Sequence, residues 1–74
     1  MDVIQRLRDL REDKDLNQKR IAEILNITQQ QYSLYEKGQR KLPIDLLKKL
    51  CIFYNVSADY ILGFTNIKKP LPKE

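Results

Sequence analysis

Three times in this 74-residue chain an apolar residue and a small polar one stand directly ahead of a helical apolar stripe: Leu16-Asn17 before Ile21, Ile27-Thr28 before Tyr32, and Val56-Ser57 before Ile61. The polar member is suited to accept a free backbone N–H of the first turn. The apolar member is suited to pack on the fourth helical residue, so each pair marks a helix start. Thr28 also has Gln31 three residues on, the pattern of a reciprocal capping box. Asn26, Gly38, Asn55 and Gly63, which tolerate left-handed backbone, mark helix stops, and Pro43 suits the first turn of a further helix. Apolar residues recur at spacings of three and four, and no stretch alternates long enough for a strand. The chain is therefore expected to be all-α, with five helices over residues 2–13, 18–25, 29–37, 43–54 and 58–62. Connections of two to five residues then force compact packing.

Helix 1 carries Val3, Ile4, Leu7 and Leu10 on one stripe, with Arg6, Arg8, Asp9 and Glu12 on its other faces. Helix 4 places Ile44, Leu47, Leu50, Cys51 and Tyr54 on an inner stripe, with Leu46 and Phe53 on the other side, and Cys51 reads as a small buried hydrophobe. Residues 1–63 form one domain, and residues 64–74, with Pro70, Pro72 and three lysines, form a basic tail expected to be extended or mobile.

A chain this short holds a single core, which excludes a multidomain enzyme. With no histidine, one cysteine, no glycine-rich phosphate loop and no carboxylate cluster, neither a catalytic constellation nor a metal or cofactor site can be assembled. The longest apolar run, Leu50 to Tyr54, is far below the roughly 20 residues of a membrane span, and the N-terminus lacks the apolar stretch of a signal peptide. The expectation is a cytoplasmic protein with no membrane partner. Fourteen basic residues against ten acidic ones give a net charge of +4, all of it in residues 38–74. That asymmetry is compatible with a polyanionic partner but does not identify one.

Helices 2 and 3 span Gln18 to Lys37 with a turn of only Asn26-Ile27-Thr28, the size of a helix-turn-helix. Ala22 supplies the small residue such a close crossing needs, and Ile21, Leu25, Ile27, Tyr32 and Tyr35 supply the apolar contacts. At 100° per residue, helix 3 places Thr28, Tyr32 and Tyr35 inward, flanked by Glu36, with Gln30, Ser33, Leu34 and Lys37 opposite and Gln29 at the border.

The sequence resembles the phage repressor and Cro type of helix-turn-helix domain, an XRE-like, lambda-repressor-like DNA-binding fold. The resemblance covers residues 3–63 and rests on Leu16-Asn17-Gln18, Ile21-Ala22, Thr28-Gln29-Gln30, Tyr35-Glu36-Lys37-Gly38 ahead of a basic loop and Pro43, and the run Asn55 to Gly63. It departs from the family pattern in having Asn26 in place of the usual glycine, Tyr32 in place of a branched aliphatic, and Arg20 in place of a helix-capping glutamate.

The resemblance implies a dimeric, sequence-specific regulator of transcription, a repressor, whose partner is double-stranded DNA and whose helix 3 enters the major groove of a near-palindromic operator. Gln29 and Gln30 are then the leading base readers, since a glutamine amide pairs bidentately with adenine, and Ser33 and Leu34 are the next candidates. Gln18, Thr28, Lys37, Gln39, Arg40 and Lys41 are the expected phosphate contacts, and Arg11 with Glu36 an expected structural ion pair. The surplus of apolar residues makes Phe53, Tyr60, Phe64 and Ile67 candidates for a homodimer contact. The competing expectation is a protein-interaction module of the same fold, of the antitoxin or regulator-partner type.

Overall fold

The computed structural model describes residues 2–71, which form five helices: α1 Val3–Asp13, α2 Gln18–Leu25, α3 Gln29–Glu36, α4 Ile44–Tyr54 and α5 Ala58–Leu62. No strand occurs among the described residues. Side-chain caps open four helices, with Asp2, Asn17, Thr28 and Ser57 accepting from the backbone N–H three residues on. Pro43 precedes α4 as an extended residue without a side-chain cap, so the helix begins one residue later than expected.

All five helices end alike. A residue with positive φ, in turn Asp15, Asn26, Gly38, Asn55 and Gly63, donates its N–H to the carbonyl three residues back. The residue after it donates to the carbonyl five back. This pairing satisfies last-turn carbonyls that would otherwise be orphaned. Four of the stops are those anticipated; Asp15 is additional, and its short polar side chain tolerates the left-handed region as asparagine does. Three connections reduce to one tripeptide plan: Asp15-Leu16-Asn17, Asn26-Ile27-Thr28 and Asn55-Val56-Ser57. In each, the middle apolar residue both completes the stop of one helix and precedes the cap of the next, so no loose backbone intervenes.

Gly38 ends α3 at φ 73°, and a Cβ built there would fall 2.5 Å from Ile4 Cδ1. The Ile4 tip can swing away, so the left-handed backbone dominates the cost. Gly38→Ala is expected to destabilise the fold by roughly 1–2 kcal/mol, read as a lower denaturant midpoint. An unchanged midpoint would contradict this.

The core draws Leu7 and Leu10 from α1, Ile21, Ala22 and Leu25 from α2, Tyr32 and Tyr35 from α3, Leu46, Leu50, Cys51 and Tyr54 from α4, and Val56, Tyr60 and Ile61 beyond it. Ala22 is buried where α2 and α3 pack closely, and a larger side chain would hold the two helices apart.

α4 is rotated relative to the expected stripe: Leu46 lies inside, Leu47 is half-buried and Ile44 is 74% exposed. The buried row Leu46, Leu50 and Tyr54 follows the spacing of four, and the first turn of α4 overhangs the core.

Arg6 also departs from its expected outer face. It is buried, with its guanidinium 4.0 Å over the Tyr60 ring and Nη2 donating to Asn66 Oδ1 at 2.6 Å. The aromatic face and the amide together hold a cation that neighbours on α1 alone would leave in water.

Asn66 belongs to the tail, which is non-helical as its prolines require but is not loose. Lys68 Nζ pairs with Asp13 at 2.8 Å, the Leu71 N–H donates to Asn55 Oδ1 at 3.0 Å, and Leu71 packs on the core. Through Leu71 the tail is thus an extended strap from α1 to the end of α4. Pro72 and Lys73, part of the expected tail, lie outside the described residues.

Two of the four dimer candidates change character. Tyr60 is only 5% exposed beneath Arg6, and Phe53 is half-buried with its ring edge-on to Tyr54, the centroids 5.0 Å apart. Phe64 and Ile67 remain exposed. No helix among the described residues is long and apolar enough to cross a membrane.

Candidate nucleic-acid interface

The start of α3 is held by Thr28, whose Oγ1 accepts the Gln31 N–H at 3.0 Å. Thr28 itself is exposed rather than inward, because the cap must reach the free end of the helix. The reciprocal half of the capping box is replaced: Gln31 Nε2 donates to the Tyr35 hydroxyl at 3.1 Å, one turn along the helix. Tyr32 and Tyr35, buried against the core, set the rotation of α3. That rotation leaves Gln29 and Gln30 exposed, with no side-chain hydrogen bond among the described residues, and Ser33 and Leu34 half-exposed.

These residues converge with others from the sequence analysis. Gln29, Gln30, Ser33, Leu34 and Lys37 line one shallow surface depression, and Gln18, the first residue of α2, completes it. The free N–H groups and partial positive charge of both helix ends, α2 and α3, belong to the same region. Gln39, Arg40 and Lys41 are exposed on the loop that follows α3. Arg40 and Lys41 border a different feature, an apolar groove of about 290 Å³ lined also by Val3, Ile4, Leu42, Leu47 and Leu62. The structure therefore brings six of the expected contacts into one depression, while the two loop cations line the separate groove.

α3 carries a single acid, Glu36, which would repel an anionic partner if exposed. It is instead 2% exposed and held in a fork by Arg11, with Nε to Oε2 at 2.7 Å and Nη2 to Oε1 at 3.1 Å. Arg11 also donates Nη1 to the Leu16 carbonyl at 2.8 Å, tying the fork to the α1–α2 connection. Gln18 Nε2 reaches the same carboxylate oxygen, Oε1, at 3.3 Å. Three helices thus meet on one carboxylate, and two of them, α2 and α3, also form the depression.

Burial alone would push the Glu36 carboxyl up. The Arg11 fork, the nearby Tyr32 hydroxyl and the Gln18 amide together outweigh it and hold the group below the usual carboxylate range. The hydrogen bond to Glu36 raises Arg11 further, against the opposing effect of burial. Burial is the main cause that raises the Tyr32 and Tyr54 hydroxyls, so both stay protonated; neither finds a hydrogen-bond partner of ordinary geometry among the described residues. Among the described residues that line the depression, Lys37 is the single charged type.

The Gln18–Glu36 contact and the burial of Arg6 were not apparent from sequence patterning, since each joins residues from different helices, and no local spacing signals them.

Comparison with known proteins agrees with this architecture. Residues 7–61 match the helix-turn-helix family model. The chain is 41% identical over 69 residues to the HTH-type transcriptional regulator ImmR of Bacillus subtilis, covering 93% of this chain and 54% of that protein. It is 37% identical over 68 residues to the cryptic phage CTXphi transcriptional repressor RstR of Vibrio cholerae, covering 89% and 61%. The chain thus spans between half and two thirds of the length of these relatives. A crystal structure of a transcriptional regulator from Listeria innocua superposes with a TM-score of 0.80 at 27% identity, covering 85% of this chain and 59% of that one. With a family match across most of its length and relatives at this level of identity, the chain belongs to the helix-turn-helix family.

Proposed function

We propose that this chain is a sequence-specific double-stranded DNA-binding regulator of transcription, acting as a repressor, with α3 as the helix that enters the major groove. The observation that carries the reading is the exposure of two glutamine amides without side-chain hydrogen bonds among the described residues, Gln29 and Gln30, on the first turn of α3, in a depression shared with the first residue of α2. Helix-turn-helix geometry puts the first turn of the second helix at base edges and the start of the first helix at the backbone. The residue types suit this division: the uncharged Gln29, Gln30 and Ser33 read base edges by hydrogen bonds, while Lys37 in the depression and Arg40 and Lys41 on the loop after α3 supply phosphate attraction. Similarity to a phage repressor supports the repressor assignment. Gln18, Thr28 and Gln39 are assigned to the backbone as polar contacts.

A homodimer is part of this reading, with the exposed Phe64 and Ile67 as its apolar contacts. Two-fold symmetry would set two α3 helices about 34 Å apart, one turn of DNA, and match a near-palindromic site. Selection of bound duplexes from a random library tests the whole reading, since it reports specificity, palindromy and half-site spacing together. Recovery of no preferred sequence, with binding unaffected by salt, would favour a protein-interaction module instead.

Arg40→Ala and Lys41→Ala are expected to weaken binding to preferred and unrelated duplexes alike, and each should reduce the slope of log affinity against log salt by about 1. A salt titration of both variants checks this; an unchanged slope would remove these residues from the backbone contacts.

A further inference from the structure

Glu36 is buried and carries no surface for a ligand, yet its carboxylate meets Gln18, the polar residue at the α2 edge of the depression. We infer that Glu36 is a positioning residue: it holds the Gln18 amide in the one orientation that presents its second N–H to a DNA phosphate at the start of α2. The inference rests on the DNA-binding reading and adds to it a residue that never touches DNA.

A free glutamine side chain rotates about three single bonds, and its amide can present oxygen or nitrogen outward with equal ease. Glu36 removes that choice. An ionised carboxylate only accepts, so Nε2 and not Oε1 must face it, and the 3.3 Å separation places them accordingly. The two N–H bonds of the amide lie in one plane about 120° apart, so with one directed at Glu36 Oε1 the second has a set direction. A phosphate oxygen, also only an acceptor, matches that remaining donor. Arg11 makes the arrangement sustainable by neutralising the carboxylate from the other side, which prevents a buried negative charge from repelling the phosphate it helps to recruit. Pre-orientation of this kind raises affinity by reducing the conformational freedom lost on binding.

The test is a double-mutant cycle in the whole chain. Gln18→Ala should weaken DNA binding by about 10- to 150-fold in the otherwise unchanged protein, as expected for loss of one hydrogen bond to a charged group. In the Arg11→Met/Glu36→Leu background, where an apolar pair replaces the ion pair, the same Gln18→Ala change should cost less than about 2-fold. Single methylphosphonate substitutions along the duplex give a readout that a merely structural role would not move. The one phosphate position whose neutralisation ceases to matter in Gln18→Ala should also cease to matter in Arg11→Met/Glu36→Leu. If the double variant does not fold, Glu36→Asp withdraws the acceptor by one methylene, keeps its charge, and should reproduce the same two results. An undiminished Gln18→Ala cost in these backgrounds, with an unchanged phosphate pattern, overturns the inference and leaves the DNA reading intact. Failure of the folded, unaltered chain to bind any duplex overturns both.

Discussion

Glu36→Leu alone is expected to cost about 3–5 kcal/mol of folding stability, because it leaves the Arg11 guanidinium, 14% exposed, facing an apolar side chain with its countercharge gone. A 74-residue chain has roughly 4–11 kcal/mol of stability in total, so the variant should be largely unfolded at modest temperature or denaturant. Arg11→Met alone should be comparably damaging, since the carboxylate is the more deeply buried partner. The double substitution Arg11→Met/Glu36→Leu should recover most of the loss, because apolar groups of similar volume avoid the desolvation of both charges. Denaturant unfolding of the three variants reads this directly. Losses that simply add in the double variant would show that the pair is not a unit.

The same pair gives acid sensitivity a definite sign. The folded-state pKa of Glu36 lies below its unfolded value, so the unfolded chain takes up its proton first as pH falls. The associated stability is complete above the unfolded value of about 4.3 and is lost progressively as pH drops below it through the folded value. If burial outweighed the Arg11 fork, folded Glu36 would protonate first and acidification would have the opposite effect. Comparing unfolding free energies between pH 6 and 3 for the unaltered chain and the apolar double variant isolates this contribution. A profile as steep in the double variant would assign the acid loss to other carboxylates.

Gln29→Ala and Gln30→Ala should each weaken binding to the preferred duplex by about 1–3 kcal/mol, a factor of roughly 5 to 150, with little effect on unrelated DNA. Both side chains are exposed and make no hydrogen bond among the described residues, so their removal should leave thermal stability almost unchanged. Each variant should also relax preference at a base pair of its own, detected by repeating the site selection. Equal losses on preferred and random duplexes would instead make them backbone contacts. Of the four base-reading candidates, Leu34 is the least constrained: it is half-exposed in the depression and suited to a thymine methyl group, but an apolar contact carries little direction.

The helix-turn-helix was legible in the sequence because its parts are local. Thr28 and the turn around Asn26 depend on atoms within about five residues, and the exposure of Gln29 and Gln30 follows once Tyr32 and Tyr35 are recognised as inward. Even here one local competitor was invisible, as Gln31 turned to the Tyr35 hydroxyl instead of back to its own helix start. The rotation of α4 is not legible in the sequence for a related reason: two apolar stripes overlap along it, and periodicity alone does not say which half of a short helix overhangs the core.

Taken residue by residue, the sequence alone determined where α2, α3 and α5 begin, four of the five helix stops, which turn is tight, and which face of α3 stays free, because caps and left-handed stops are short-range interactions. The tertiary structure decided the rest. It buried Arg6 against Tyr60 and Asn66, laid the tail to Leu71 across α1 toward Asn55, hid Tyr60 from any partner, and joined Gln18 to the Arg11–Glu36 fork. Each of these polar or charged groups had an exposed position as its default. The partners in these contacts lie 16 or more residues apart in sequence, and their positions depend on how the helices pack rather than on any local pattern.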